Sequence, residues 1–295
     1  MTILSGVGLQ SFRAAREAGI ITVVECGSTH TDFQHEVVLT EYRRNGINRP
    51  LFPKSYRDRV RMEFEEADYI QIPTRFVGRT FLDRGIPEAK LLYSPYGVDQ
   101  EKFKAKEALR VEEPFRAICS SGINLRKGAR ILMEAWRKLS WTNAELHWVG
   151  SPASDTAHLF RDQPQNVILH NWMTPEELSA LYRRCDVFVL PSFEDGFARV
   201  MLEGAASGLP VIVTPNTGAE DFLSPDESEG WLIPVNDVDA LCDSLILAKQ
   251  NRDRTFALGQ RAAQRARAFT WDAYGERVLA NYQRVLERNA NRPIV

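Results

Sequence analysis

The chain has 295 residues and a formal net charge of -2, with 44% hydrophobic, 26% charged and 10% aromatic residues. That is the balance of a soluble globular protein and implies no protein-wide field for polyanions, so nucleic acid is not an expected partner. The length fits two domains, no apolar run approaches the ~20 residues that span a bilayer, and no charged n-region leads into an apolar h-region at the start. The four cysteines, Cys26, Cys119, Cys185 and Cys242, stand far apart, as free thiols do in a reducing cytoplasm.

Helix-like and strand-like runs alternate along the chain, the pattern of a parallel, doubly wound α/β sheet. The first half reads helix (Leu9–Glu17), strand (Ile20–Glu25), loop, helix (Tyr56–Ala67), strand (Tyr69–Pro73), helix (Arg75–Arg84) and strand (Lys90–Ser94). Residues 99–113 are polar and charged and read as a linker. A second series then begins with strand Phe115–Ser120 and helix Ala129–Leu139, whose Ile131, Leu132, Ala135, Trp136 and Leu139 share one face. Strands Glu145–Val149 and Val167–His170 follow, then a helix announced by Thr174, Pro175 and Glu177, which make an N-cap, an N1 proline and a capping box. Val187–Leu190, Ala198–Ser207 and Leu209–Val213 form a strand–helix–strand unit. The chain closes with strand Trp231–Val235 and helices Val238–Lys249, Phe256–Ala268 and Trp271–Arg288.

Two segments carry chemistry. In Asp186–Asp221, Glu194 and Asp195 stand between a strand and a helix that contains Glu203. Open α/β sheets bind ligands at this C-terminal strand edge, and a carboxylate there accepts hydrogen bonds from a diol. Glu203 lies among Val200, Met201, Leu202, Ala205 and Ala206, where an unpartnered carboxylate is costly. In Ser121–Gly128, a strand-to-helix loop offers free N–H groups and the positive helix end, with Arg126 and Lys127 beside them.

Other segments weigh less. Asp237-Val238-Asp239 precedes a strongly helical run, so a helix cap explains it better than a metal site. Ser5-Gly6-Val7-Gly8 is a lone G-x-G with no adequate preceding strand. His30 and His35 lie in the loop after strand Ile20–Glu25, with no third ligand at metal spacing. Residues 42–61 hold Arg43, Arg44, Arg49, Lys54, Arg57, Arg59 and Arg61 against Asp58. They face an anionic membrane or a phosphorylated acceptor, or form a solvated helix face with Arg61–Glu65 as an i,i+4 pair; the second is preferred.

The segment Pro191-Ser192-Phe193-Glu194-Asp195-Gly196-Phe197, with Leu202, Glu203, Ala206, Gly208, Pro210 and Val211, resembles the signature of retaining GT-B glycosyltransferases of family 4. The family pairs two glutamates eight positions apart; here the first is Asp195. Ser121–Gly128 is similar to the family's diphosphate clamp, matching Lys127 and Arg126, although Ile123 stands where many members carry Arg. Thr217–Asp221 resembles the family's G-G-x-x-E loop, with Gly218 kept, one glycine missing and Asp221 in place of Glu. Gly27–His30 looks like the G-S-x-H segment of a subgroup in which a histidine faces the reacting sugar.

The resemblance implies a GT-B fold of two Rossmann-like doubly wound domains. These are a partial N-terminal, acceptor-side domain (1–110), a C-terminal nucleotide-sugar domain (111–270), and a last segment (271–295) crossing back to the first domain. It implies transfer of a sugar from a nucleotide diphosphate sugar to an acceptor hydroxyl with retention, without cofactor or metal. His30, Asp195 and Lys127 are the expected catalytic residues. Arg126, Lys127, Glu194, Asp195, Gly196, Phe197, Glu203, Gly218 and Trp172 are expected to bind the donor, Asp195 or Glu194 taking the sugar's hydroxyls. The acceptor is a glycan, lipid or small molecule of cell-envelope or polysaccharide synthesis. The expected place is the cytoplasm, with contact to the inner membrane face left open. GT-B N-domains begin with about three more strand–helix units and a glycine-rich loop, which leads to the expectation of a truncated first sheet prone to self-association. Two alternatives stay open: a non-catalytic nucleotide-sugar-binding remnant and a sugar-nucleotide epimerase.

Overall fold

The computed structural model describes residues 1–109 and 114–290. The chain divides into two compact units, Met1–Tyr96 together with the segment from Trp271, and Gly97–Thr270. Residues 99–109 of the expected linker group with the second unit; residues 110–113 lie outside the described residues.

The first unit is a four-stranded parallel sheet of order β1-β2-β3-β4, formed by β1 (Thr2–Leu4), β2 (Val23–Glu25), β3 (Tyr69–Ile72) and β4 (Leu91–Tyr93). Helices α1 (Leu9–Glu17), α2 (Thr31–Arg44), α3 (Lys54–Glu66) and α4 (Arg75–Leu82) connect the strands. One core cluster joins Phe12, Val24, Val60, Phe64, Ile70, Val77 and Phe81 from both layers. Two expectations are corrected here. A strand, β1, does precede Ser5–Gly8. Residues 31–44, expected as loop, form α2, whose N-cap is His30.

The second unit has six parallel strands: β5 (Phe115–Cys119), β6 (Ala144–Val149), β7 (Val167–His170), β8 (Val187–Leu190), β9 (Val211–Val213) and β10 (Gly230–Leu232). Their order is β10-β9-β8-β5-β6-β7. Counted within the unit this is the 3-2-1-4-5-6 order of the dinucleotide-binding fold, and the strand order reverses between β5 and β8. The strands are near-continuous apolar runs because helices cover both faces; Val187–Leu190 is buried at every position. Between the strands run α5 (Ala129–Leu139), α6 (Pro175–Arg183) and α7 (Arg199–Ala206); α8 (Val238–Gln250) and α9 (Arg252–Ala266) follow β10, and α10 (Trp271–Arg288) belongs to the first unit. The Thr174 capping box forms on α6. Asp237 caps α8 by accepting from Ala240 N at 2.9 Å, while Asp239 pairs with Lys138, so both acids of the D-x-D triplet have structural partners.

Candidate donor site at the switch point of the second sheet

Three loops meet beyond the C-terminal ends of β5, β8 and β9. In the loop after β5, the Asn124 side chain accepts from Lys127 N at 3.0 Å and caps a 3-10 turn, Leu125–Lys127. Gly128 ends that turn at φ 78° and starts α5; a Cβ there would lie 2.0 Å from Pro191 O. Only glycine lets the cationic turn press against the end of β8.

That approach aligns the charges. Arg126 Nη1 donates to Glu194 Oε2 at 2.9 Å and to Glu194 O at 3.2 Å, while Phe193 N donates to Arg126 O at 2.9 Å. Lys127 Nζ pairs with the Asp195 carboxylate. The two pairs differ in access. The Glu194 side chain is 0% exposed, whereas Lys127 and Asp195 are 14% and 16% exposed. From Pro191 to Ala198, Asp195 alone is not classed as buried. Phe197 packs its ring 5.9 Å from Phe269 as part of the core, and Gly196 is buried. Of the two acids, Asp195 is therefore the more exposed, and Arg126 props up the acidic loop.

The third loop is stitched to the second. Thr214 Oγ1 donates to Ser192 O at 2.6 Å, Asn216 Nδ2 to Phe193 O at 2.8 Å, Asp195 N to Asn216 O at 2.7 Å, and Ala198 N to Thr217 O at 3.1 Å. Gly218 follows at φ 75°, in the left-handed region that favours glycine.

Glu203 sits on α7, half-buried, and no hydrogen bond to its carboxylate is found among the described residues. Burial raises its pKa, opposed by Arg199. The carboxylate lies close enough to Tyr182 to help raise the phenol, whose own burial is the larger cause. Tyr182 OH in turn bonds Ser120 Oγ at the end of β5, so Glu203 stands beside the switch point. Trp172, in the loop after β7, is 81% exposed.

His30 belongs to the first unit. Its Nδ1 accepts from Asp32 N at 3.2 Å, and its ring packs 5.4 Å from Phe64 and 5.2 Å from Phe81. The residue is 3% exposed, and burial pulls its pKa down to about 4, so it is neutral at pH 7. Those contacts make it a helix cap within an aromatic core. The basic run on α2 and α3 is partly neutralised: Lys54 pairs with Asp58, Arg57 with Asp32, and Arg61 with Asp58 and Asp32 rather than with Glu65.

Asn124, Tyr182 and Asn216 were not among the expected site residues. Asn124 carried a signal, an Asn three residues before the lysine whose amide it caps. Tyr182 and Asn216 act on partners distant in sequence and carried none.

Comparisons with known proteins bear on the fold and on the family. Residues 114–251 match the family described as glycosyl transferases group 1. The chain is 25% identical over 282 residues to sulfoquinovosyl transferase SQD2 of Arabidopsis thaliana, covering 91% of this chain and 53% of that protein. It is 27% identical over 213 residues to MMP alpha-(1->4)-mannosyltransferase of Mycolicibacterium hassiacum, covering 70% and 52%. The chain thus spans about half the length of these curated relatives. Among solved structures, sucrose-phosphate synthase of Thermosynechococcus elongatus superposes with a TM-score of 0.76 at 19% identity, over 97% of this chain and 73% of that one. Anabaena HepE in complex with UDP-glucose gives 0.75 at 16% identity, over 96% and 78%. No described helix is long and apolar enough to cross a membrane. Residues 114–251 thus match the family of glycosyl transferases group 1, on a chain whose fold matches GT-B glycosyltransferase structures.

Proposed function

We propose that the chain acts as a retaining glycosyltransferase of the family 4 type, moving a sugar from a nucleotide diphosphate sugar to an acceptor hydroxyl. The observation that carries this reading is Glu203. A half-buried carboxylate with a raised pKa and no hydrogen bond among the described residues, beside the reversal of strand order, suits a ribose diol. Two hydroxyl donors would satisfy it and favour its charged form.

Lys127 would turn from Asp195 to the diphosphate and neutralise the charge that grows as the sugar leaves, a preorganised electrostatic role without metal. Asp195, released, would accept from the transferred sugar's hydroxyls. Its arm is one methylene shorter than glutamate, so the sugar would sit closer to the loop. The exposed Trp172 would border the base. Among the described residues, the side chains around Lys127 and Glu203 offer no evident nucleophile, which agrees with a front-face reaction in which the departing phosphate takes the acceptor's proton. Support for the donor class comes from the HepE structure, which holds UDP-glucose. The acceptor would be a glycan, a lipid or a small hydroxyl compound, reached in the cytoplasm or at the inner membrane face.

A thermal-shift panel of UDP-, GDP- and ADP-sugars, followed by turnover and determination of the product's anomeric configuration, tests the proposal. One donor class should raise the melting temperature with EDTA present, and the product should keep the donor's configuration. Binding without turnover for any acceptor would favour the remnant reading; a product epimerised without acceptor would favour the epimerase.

A further inference from the structure

The proposed reading leaves open how Asp195, a short side chain in a turn, is held in place. Glu194 is fixed on one side by Arg126, which bonds its carboxylate at 2.9 Å and its carbonyl at 3.2 Å. On the other side stands Asn216. Its side-chain amide donates to Phe193 O at 2.8 Å and its own carbonyl accepts from Asp195 N at 2.7 Å. Asn216 therefore grips the main chain on both sides of Glu194, one residue before and one residue after. Thr214 and Thr217 are buried in the same loop and anchor its ends, the hydroxyl of Thr214 on Ser192 O at 2.6 Å and that of Thr217 on Thr214 O at 2.7 Å. Asn216 is only half-buried.

We infer that Asn216 is a positioning residue for Asp195, acting through the Phe193–Asp195 main chain. The chemistry is specific to an amide. An alanine removes the N–H donor. An ionised aspartate of the same shape turns an acceptor toward Phe193 O and repels it, while the same carboxyl when protonated has an O–H to donate. The inference rests on the donor-site reading for its catalytic consequence, but its structural half stands alone.

The experiment uses the full chain with Asn216→Ala and Asn216→Asp. Amide hydrogen exchange is measured first, on peptides covering residues 193–198. Exchange in both variants should be faster than wild type by roughly three- to tenfold, the loss of about one hydrogen bond. Peptides of the β5–β6 region should be unchanged, which separates the local effect from a failure to fold. Turnover is then measured with whichever of UDP-, GDP- and ADP-glucose the wild type uses. For both variants kcat should fall roughly tenfold or more while the Kd for the nucleoside diphosphate stays within about twofold, because Lys127 and Glu203 are untouched. The Asn216→Asp variant should recover relative to wild type as the pH falls through the ordinary carboxyl range, about 4. Exchange equal to wild type at residues 193–198, or kcat within about twofold for Asn216→Ala, would overturn the inference. A wild type that uses no nucleotide sugar would instead overturn the proposed function, and hydrogen exchange would still decide the role of Asn216.

Discussion

The two units each contain a glycine-bearing turn from a strand into a helix, and they treat negative charge in opposite ways. In the first unit the turn Ser5–Gly8 points its amides at Glu63 of α3. Gly6 N and Gly8 N donate to its carboxylate at 2.5 and 2.8 Å, and Leu9 N at 3.1 Å. Glu63 is 0% exposed. The chain has filled its own anion nest. In the second unit the turn Asn124–Gly128 keeps its lysine partly exposed, paired with an acid that is itself partly exposed. The same local geometry becomes a strut when a buried carboxylate from the chain completes it. It becomes a candidate ligand site when the completing charge can be exchanged for another.

The comparison breaks most visibly at Glu63. Removing its side chain leaves three buried N–H donors without a partner, each costing about 1–3 kcal/mol. Glu63→Ala should therefore lose about 3–5 kcal/mol in urea unfolding, and formate, which fits the vacated volume, should restore part of that. A loss under about 1 kcal/mol would mean that the nest does not depend on the carboxylate.

His30 gives the next largest effect, also in the first unit. Its pKa falls from the ordinary 6.5 to about 4 because burial disfavours the charged ring. The folded state then binds fewer protons than the unfolded chain. The stability this confers is complete above about pH 6.5 and is lost as the pH falls toward 4, amounting to about 3 kcal/mol. His30→Asn keeps a cap acceptor for α2 and removes the titration. Between pH 7 and pH 4 the wild type should lose about 3 kcal/mol of unfolding free energy relative to His30→Asn; parallel pH profiles would show that His30 is not held neutral by burial.

The smallest effect sharpens the second half of the contrast. If Asp195 is the exchangeable counter-charge of Lys127, then Asp195→Asn removes a competitor for the diphosphate. Calorimetry should show nucleoside diphosphate binding tightened, by roughly threefold at the effective dielectric of a partly exposed site, while turnover falls. Weaker diphosphate binding in this variant would place Asp195 in direct support of the phosphate site instead.

How much of this was legible in the sequence follows from the range of the forces. The strands and helices of the second unit were readable because their patterns are local and strongly apolar, as in Val187–Leu190, or are marked by caps, as at Thr174 and Asp237. The helix Thr31–Arg44 was missed because its buried positions include Thr31, His35 and Glu41, which blur the apolar period. β1 was missed because three residues at the chain start, two of them exposed, give no strand signal. In the candidate site, residue identities were legible and partners were not. Arg126 reads as a phosphate ligand until Glu194, 68 positions away, claims it. Likewise Glu63 reads as one of a run of helix acids until Gly6 and Gly8, more than 50 positions earlier, close on it.

The most direct test of the donor site is a calorimetric titration of the nucleotide sugar chosen by thermal shift into wild type and Glu203→Ala. Losing hydrogen bonds to a charged carboxylate costs about 1.5–3 kcal/mol, so affinity should fall roughly tenfold or more. Melting of the ligand-free variant should hold or rise, since a half-buried carboxyl with no hydrogen-bond partner among the described residues has been removed. Equal affinity in the two proteins would take Glu203 out of the site and contradict the account.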